Sequence, residues 1–282
     1  MRRFQCGLLA TVAALVFASL ASAADMPVKA PVYKAPVAAP AFSWTGLYVG
    51  VNAGDGWRDP ANFGTVLTPC TVTGNCAAGR VYGSPVNQAL GSALGTGSGS
   101  RGSGFTGGGQ IGYNWQIKNI VFGLEADFES FKQSSSLAGS GIDSTGNVLT
   151  VNNQVGSTWL ATIRPRVGYV WDRTLIYATG GVAFTNLKYT QTMATGLVNA
   201  SGTQTVSQTK TGWTAGAGVE YALWNNWSVR AEYLYLQFSG LSGTGVLMEG
   251  DGLGTNSNVF TGSTGTLHDN VVRAGLNYRF GG

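Results

Sequence analysis

Charge is scarce in this 282-residue chain: 11% of residues are Asp, Glu, Lys or Arg, against about 25% in ordinary soluble domains. Yet the mean hydropathy is only +0.08, and past the first 23 residues no run of roughly 18 apolar residues occurs, which excludes helical membrane spans. The 17 basic residues stand singly against 13 acidic ones, so no basic stripe exists and nucleic acid is not an expected partner. With one histidine and three cysteines, no zinc-ligand spacing is present, nor a P-loop or a paired-carboxylate cleft; no metal or cofactor is expected. Low charge with near-zero hydropathy is what results when apolar residues alternate with small polar ones, the weak signature of a membrane β-barrel.

The apolar residues that do run together lie at the start. Arg2 and Arg3 precede an apolar stretch from Leu8 to Leu20 and then Ala21-Ser22-Ala23, the layout of a secretory signal peptide over 1–23 cut between Ala23 and Ala24. Cleavage would leave 15 basic and 13 acidic residues, a weak balance. Pro27, Pro31, Pro36 and Pro40 suit neither helix nor sheet and make 24–43 an extended periplasmic linker. Cys6 falls in the removed segment, leaving Cys70 and Cys76 in an exported chain. A local disulfide is one reading and two free loop thiols the other.

From Trp44 onward, 44–282 reads as one barrel domain, because period-two alternation recurs in eight runs. The first sets Leu47, Val49, Val51 and Ala53 against Gly46, Tyr48, Gly50 and Asn52. The next two set Phe105, Ile111, Tyr113 and Trp115 against Thr106, Gln110 and Asn114, then Phe122, Leu124, Ala126 and Phe128 against Glu125, Asp127 and Glu129. Only Lys118-Asn119 separates that pair, a tight hairpin. Five more runs put Trp159, Ile163 and Val167; Ile176, Ala178, Val182 and Phe184; Trp213, Ala217 and Val219; Val229, Tyr233 and Tyr235; and Val272, Leu276 and Phe280 on apolar faces.

Connections alternate long and short, at 58–102, 118–119, 134–156, 171–174, 189–210, 224–226 and 239–268. Outer-membrane barrels pair long outer loops with short periplasmic turns in this order, so both termini are expected to be periplasmic. The long Gly/Ser/Thr/Asn-rich connections are taken as mobile surface loops. All eight tryptophans fall near run ends. Trp44, Trp115, Trp171, Trp224 and Trp227 would form the periplasmic aromatic belt, and Trp57, Trp159 and Trp213 the outer one.

The last run, Val272-Arg-Ala-Gly-Leu-Asn-Tyr278-Arg-Phe280, resembles the closing strand of bacterial outer-membrane barrels, although Gly281-Gly282 follow it here. That resemblance implies that Tyr278 and Phe280 act as the assembly signal for the barrel-assembly machinery, after escort by periplasmic chaperones into outer-membrane lipid. Phe42-Ser-Trp-Thr-Gly-Leu-Tyr-Val-Gly-Val-Asn-Ala-Gly54, Gly107-Gly-Gly-Gln-Ile-Gly-Tyr-Asn-Trp115 and Tyr177-Ala-Thr-Gly-Gly-Val-Ala-Phe184 are similar to the alphaproteobacterial porin-like family of surface-antigen and hemin-binding barrels. It implies an all-β, eight-stranded, up-and-down transmembrane barrel in a Gram-negative outer membrane.

Inward-facing charge forms two expected groups: Glu125, Asp127 and Glu129 with Arg164 and Arg166, and Glu220, Arg230 and Glu232 with Arg273 and Arg279. An eight-stranded lumen is just wide enough for side chains to fill, so a salt-bridged plug is the leading expectation and a narrow ion path the alternative. A surface receptor for hemin would have only His268 as a histidine ligand. His268-Asp269 with a loop serine would be the minimum for a rim hydrolase, but serine is too common here to inform, and no enzyme is expected. Gly102-Ser-Gly104-Phe-Thr-Gly107 matches the dinucleotide pattern without the helix that would hold phosphate. A soluble barrel with its apolar face inward would need Lys and Glu outside, which these runs lack. An intact barrel resists SDS until boiled, so the membrane fraction should contain a heat-shifted band; a wholly soluble, unshifted product would refute the membrane reading.

Overall fold

In a computed structural model the described residues are 42–68, 85–142, 146–196, 200–224, 226–248 and 257–280. The expected signal segment, most of the linker, Cys70 and Cys76 lie outside them. The strands are β1 (Gly46–Arg58), β2 (Asn62–Thr68), β3 (Gly97–Ser98), β4 (Gly102–Ile117), β5 (Ile120–Ile142) and β6 (Val148–Trp171), with α1 (Pro85–Leu94) between β2 and β3. They continue with β7 (Thr174–Thr195), β8 (Ala200–Ala222), β9 (Trp227–Phe238), β10 (Ser242–Met248), β11 (Ser257–Thr264) and β12 (Leu267–Phe280).

Eight of these close a ring of antiparallel neighbours in the order β1-β4-β5-β6-β7-β8-β9-β12 and back to β1. Closure leaves no edge, the condition for a sheet to cross hydrocarbon. Residues 118–119 and 172–173 and the short link from β8 to β9 form the short turns, all at the end that holds Trp44 and Phe280. Lys118 and Asp172 take φ of 54° and 55°, left-handed values that tight hairpins demand.

The alternation predicted for all eight runs holds near the short turns. On β5, Phe122, Leu124 and Phe128 point outward while Glu125, Asp127 and Glu129 point inward. From Ile120 to Phe128 this strand spans about the nine to eleven residues that a tilted crossing needs.

Farther out the faces exchange character. Beyond Glu129 the inward residue of β5 is Phe131, and beyond Phe128 the outward ones are Ser130, Lys132 and Ser134. The same exchange occurs on β6 between Thr162 and Leu160, on β9 between Glu232 and Leu234, and on β12 between Arg273 and Val271. Strands that have left the bilayer have water outside, so their apolar residues turn inward.

The segments 134–156 and 189–210, expected to be mobile loops, are therefore mostly strand. β5 to β8 are 22 to 24 residues long, whereas β1, β9 and β12 are 12 to 14. The other long connections supply β2, β3, α1, β10 and β11, also ordered. β10, β11, β2 and β3 extend the wall from β8, through a single β8–β10 pair, Met248 with Ser201. Ser100 N–H, just after β3, then reaches Ser136 O on β5 at 2.7 Å. A second ring thus stands on the first.

Two apolar clusters fill much of its interior. Phe63, Phe131, Val155, Leu160, Leu187, Tyr189, Leu234, Leu236, Phe238 and Val271 form one cluster. Above it Leu67, Leu149, Val151, Met193, Leu247 and Phe260 form another, which Leu90 and Leu94 of α1 cover. Between them Gln191 donates to Thr65 Oγ1 at 2.7 Å and Gln204 to Gln191 Oε1 at 2.9 Å. Burial pushes the phenol of Tyr189 above its ordinary value, which keeps it the donor to Asn153 Oδ1 at 2.7 Å.

Leu236→Ala should cost about 2–5 kcal/mol of unfolding free energy, through lost transfer and a cavity. Gln237→Ala, on the outer face, should stay within about 0.5 kcal/mol. Urea titration in detergent micelles reads both.

Candidate functional site

Inside the membrane ring the expected charges converge, but as one network rather than two. Arg164 contacts Glu125 at 2.6 Å, Asp127 at 2.9 Å and Glu232 at 3.2 Å. Arg273 contacts Glu232 at 2.6 Å, Glu129 at 3.0 Å and Asp127 at 3.1 Å. Arg230 binds Glu125, and Arg166 reaches Glu220 at 3.2 Å. Glu232, from the second expected group, bridges to Arg164 of the first, because a lumen this narrow brings opposite walls within side-chain reach.

Two tyrosines lock this layer. Tyr48 donates to Glu125 Oε2 at 2.6 Å and Tyr177 to Glu232 Oε1 at 3.0 Å. Each lies across a glycine: a Cβ on Gly112 would sit 2.2 Å from Tyr48 Oη, and one on Gly218 2.5 Å from Tyr177 Oη. The guanidinium of Arg166 lies 4.6 Å from the centre of the Tyr48 ring and 5.2 Å from that of Tyr177.

Arg279 departs from the expectation. It points inward but makes no ion pair among the described residues, and stacks 4.2 Å from the centre of the Phe42 ring instead. Phe42 in turn packs edge-on against Trp44 at 5.0 Å. Trp44 is a second correction: it is 2% exposed and closes the short-turn end with Val121, Val170 and Leu175, so it is not part of a lipid-facing belt. The chain must enter the barrel wall here, and the backbone N–H of Trp44 donates to Gln116 Oε1 at 2.6 Å while its ring packs inward. Trp115, Trp171, Trp224 and Trp227 are exposed at this end. Towards the other end Trp159 stacks on Phe128, and Trp213 leans on Tyr235.

Sequence reasoning missed a further ion pair, Arg58 with Asp269. It is bidentate at 2.8 and 3.0 Å and fully buried at the level of the apolar core of the outer ring. In the sequence Arg58 stands at the start of a long connection and Asp269 beside His268. The pair was legible only once the first and last strands were placed side by side, in register Arg58 to Asp269. Asp269 thus orients Arg58, while the Nδ1 of His268 is bonded to the Tyr235 hydroxyl. The two do not form a base with its orienting carboxylate. Among the described residues no group of three His, Cys, Asp or Glu gathers to hold a metal.

The sequence family described as outer membrane protein beta-barrel domain matches residues 10–280. The chain belongs to that family. It is 37% identical over 279 residues to the 31 kDa outer-membrane immunogenic protein of Brucella melitensis, covering 97% of this chain and 98% of that protein. A 22 kDa outer membrane protein of Rhizobium leguminosarum is 35% identical over 133 residues, 46% of this chain and 52% of that protein. Among solved structures, OprG of Pseudomonas aeruginosa matches with a TM-score of 0.41 at 10% identity, over 84% of this chain and 97% of that one. This outer-membrane β-barrel is accordingly an integral, surface-located protein of the Gram-negative outer membrane.

Arg58→Ala strands a buried carboxylate and should cost about 3–5 kcal/mol, whereas Arg58→Met with Asp269→Leu should recover most of the loss. Urea unfolding midpoints of the two variants measure this; equal destabilisation in both would disprove that the loss comes from stranding the Asp269 carboxylate.

Proposed function

We propose that this barrel is a closed anchor that presents its outer ring at the cell surface, rather than a conduit. One observation carries the reading: side chains occupy the interior in five successive layers along the axis. These are the Trp44 cluster, the charge network, the Phe131 cluster with its Arg58–Asp269 pair, the Gln191 hydrogen-bonded belt and the Phe260 cluster under α1. An ion would have to displace three apolar layers as well as break the network, so the narrow polar path read from the membrane strands alone does not continue through the outer ring.

On this reading the surroundings act on the protein's outside. Outer-membrane lipid contacts the apolar belt, and the assembly machinery and its chaperones meet the last strand. In support of that, Phe280 is exposed and Tyr278 packs against it edge-on at 5.1 Å. The Brucella relatives are named immunogenic outer-membrane proteins, which fits surface display here as well. A role as receptor or adhesin would rest on the outer ring, and no catalytic role is assigned.

Reconstituted in planar bilayers, the full chain should give no steady single-channel openings at moderate voltage. Steady openings whose ion selectivity changes in Arg164→Ala would place a water path through the network and reject the closed anchor.

A further inference from the structure

The ladder is interrupted where the membrane strands become outer-ring strands. Pairing of β5 with β6 shifts between Ser130 and Gln133, and that of β6 with β7 between Gly156 and Leu160. Such bulges re-aim side chains and leave backbone groups unpaired. Here Asn186 serves those of β6: its Oδ1 accepts from Thr158 N–H at 3.0 Å, Trp159 N–H at 3.3 Å and Thr158 Oγ1 at 2.9 Å. On the outside of the wall this opens a hollow of about 360 Å³, lined by Lys132, Lys188, Gln154, Thr158, Asn186 and Ser207 among others. Both lysines are exposed, and among the described residues neither has a carboxylate partner.

The level of the hollow identifies its occupant. Directly below, Trp159 stacks on Phe128, and Ile163 and Val182 continue the lipid-facing surface. Above, the outer face is hydroxyl and amide, with Ser134, Gln154, Thr190 and Thr192, and Thr190 and Thr192 meet Thr205 and Thr203 across β8 at 3.2 Å. One wall therefore presents an apolar zone, two cations and an uncharged hydrogen-bonding zone in vertical order. A phosphorylated glycolipid of the outer leaflet carries acyl chains, phosphate and sugar in the same order. We propose that the hollow is a binding site for such a glycolipid: Lys132 and Lys188 clasp its phosphate, the aromatic band meets its acyl chains and the Thr/Gln face meets its sugars.

The test is native mass spectrometry of the full chain in detergent, titrated with diphosphorylated lipid A. Wild type should bind, and Lys132→Ala with Lys188→Ala should bind at least about tenfold more weakly through loss of two charged hydrogen bonds, while keeping its heat-shifted mobility. Dephosphorylated lipid A should bind as weakly to wild type as the intact lipid does to the variant. Unchanged affinity in the folded double variant overturns the proposal, as does equal binding of the dephosphorylated lipid. Binding of inorganic phosphate alone as tightly as the intact lipid also overturns it, by marking a free-anion site instead. Should the double variant lose its heat shift, the single Lys→Gln variants decide, each expected to weaken binding about threefold.

Discussion

Hydrocarbon offers no hydrogen-bond partners, so a sheet that enters it must bond every backbone group to itself, and only a closed ring does that. The other features of this barrel follow from closure. A ring of eight strands has a lumen of side-chain width, which forces whatever faces inward to pack against the opposite wall. It also fixes two environments along each strand, lipid and then water, and a strand longer than the membrane must serve both. β5 does so without changing direction: its outward side goes from Phe128 to Ser130 while its inward side goes from Glu129 to Phe131.

Within the membrane ring the inward positions are charged because the outward ones have taken the apolar residues. Charges out of water survive only when each meets partners. The network meets that condition by geometry rather than by number: Arg273 reaches Glu232, Asp127 and Glu129, and Arg164 reaches Glu125, Asp127 and Glu232. Each arginine fork spans several strands, so the network ties together walls that the ladder joins only to their neighbours. Removing any one member exposes several others, which makes the layer stiff. Bulk is managed by glycine, since Tyr48 and Tyr177 can lie flat across the wall only where Gly112 and Gly218 carry no side chain.

How much of this the sequence disclosed depends on which environment a residue occupies. Phe122, Leu124 and Phe128 against Glu125, Asp127 and Glu129 read without error, because lipid on one side and a polar lumen on the other give a clean period of two. Residues 134–156 and 189–210 looked like loops because their strands face water with Ser, Thr, Asn and Gln and face a core with widely spaced Leu, Val and Met. A search for the outward apolar pattern finds nothing there. On β6 the bulge also shifts the phase: Leu160 and Thr162 point inward, as do Ser157 and Val155, so one continuous alternation cannot describe the strand. Trp44 and Arg279 were misplaced for another reason. Their positions depend on how the chain folds back into the barrel mouth, and strand periodicity holds no information about that.

The bulge sits where it costs least. An extra residue within the hydrocarbon would leave N–H groups with no partner, at several kcal/mol each, and deep in the outer ring it would disturb the Phe131 core. At the boundary a single polar side chain, Asn186, satisfies both Thr158 and Trp159 from outside the wall. That placement has a consequence for surface chemistry. The side chains that flank the bulge on β5 and β7 line the hollow beside it, and among them are Lys132 and Lys188. Elsewhere on β5 the charged side chains, Glu125, Asp127 and Glu129, turn inward, and β7 carries no other charge. Uncompensated positive charge on the outer wall thus coincides with the position where that wall passes from lipid to water, beside the defect that relieves strand register.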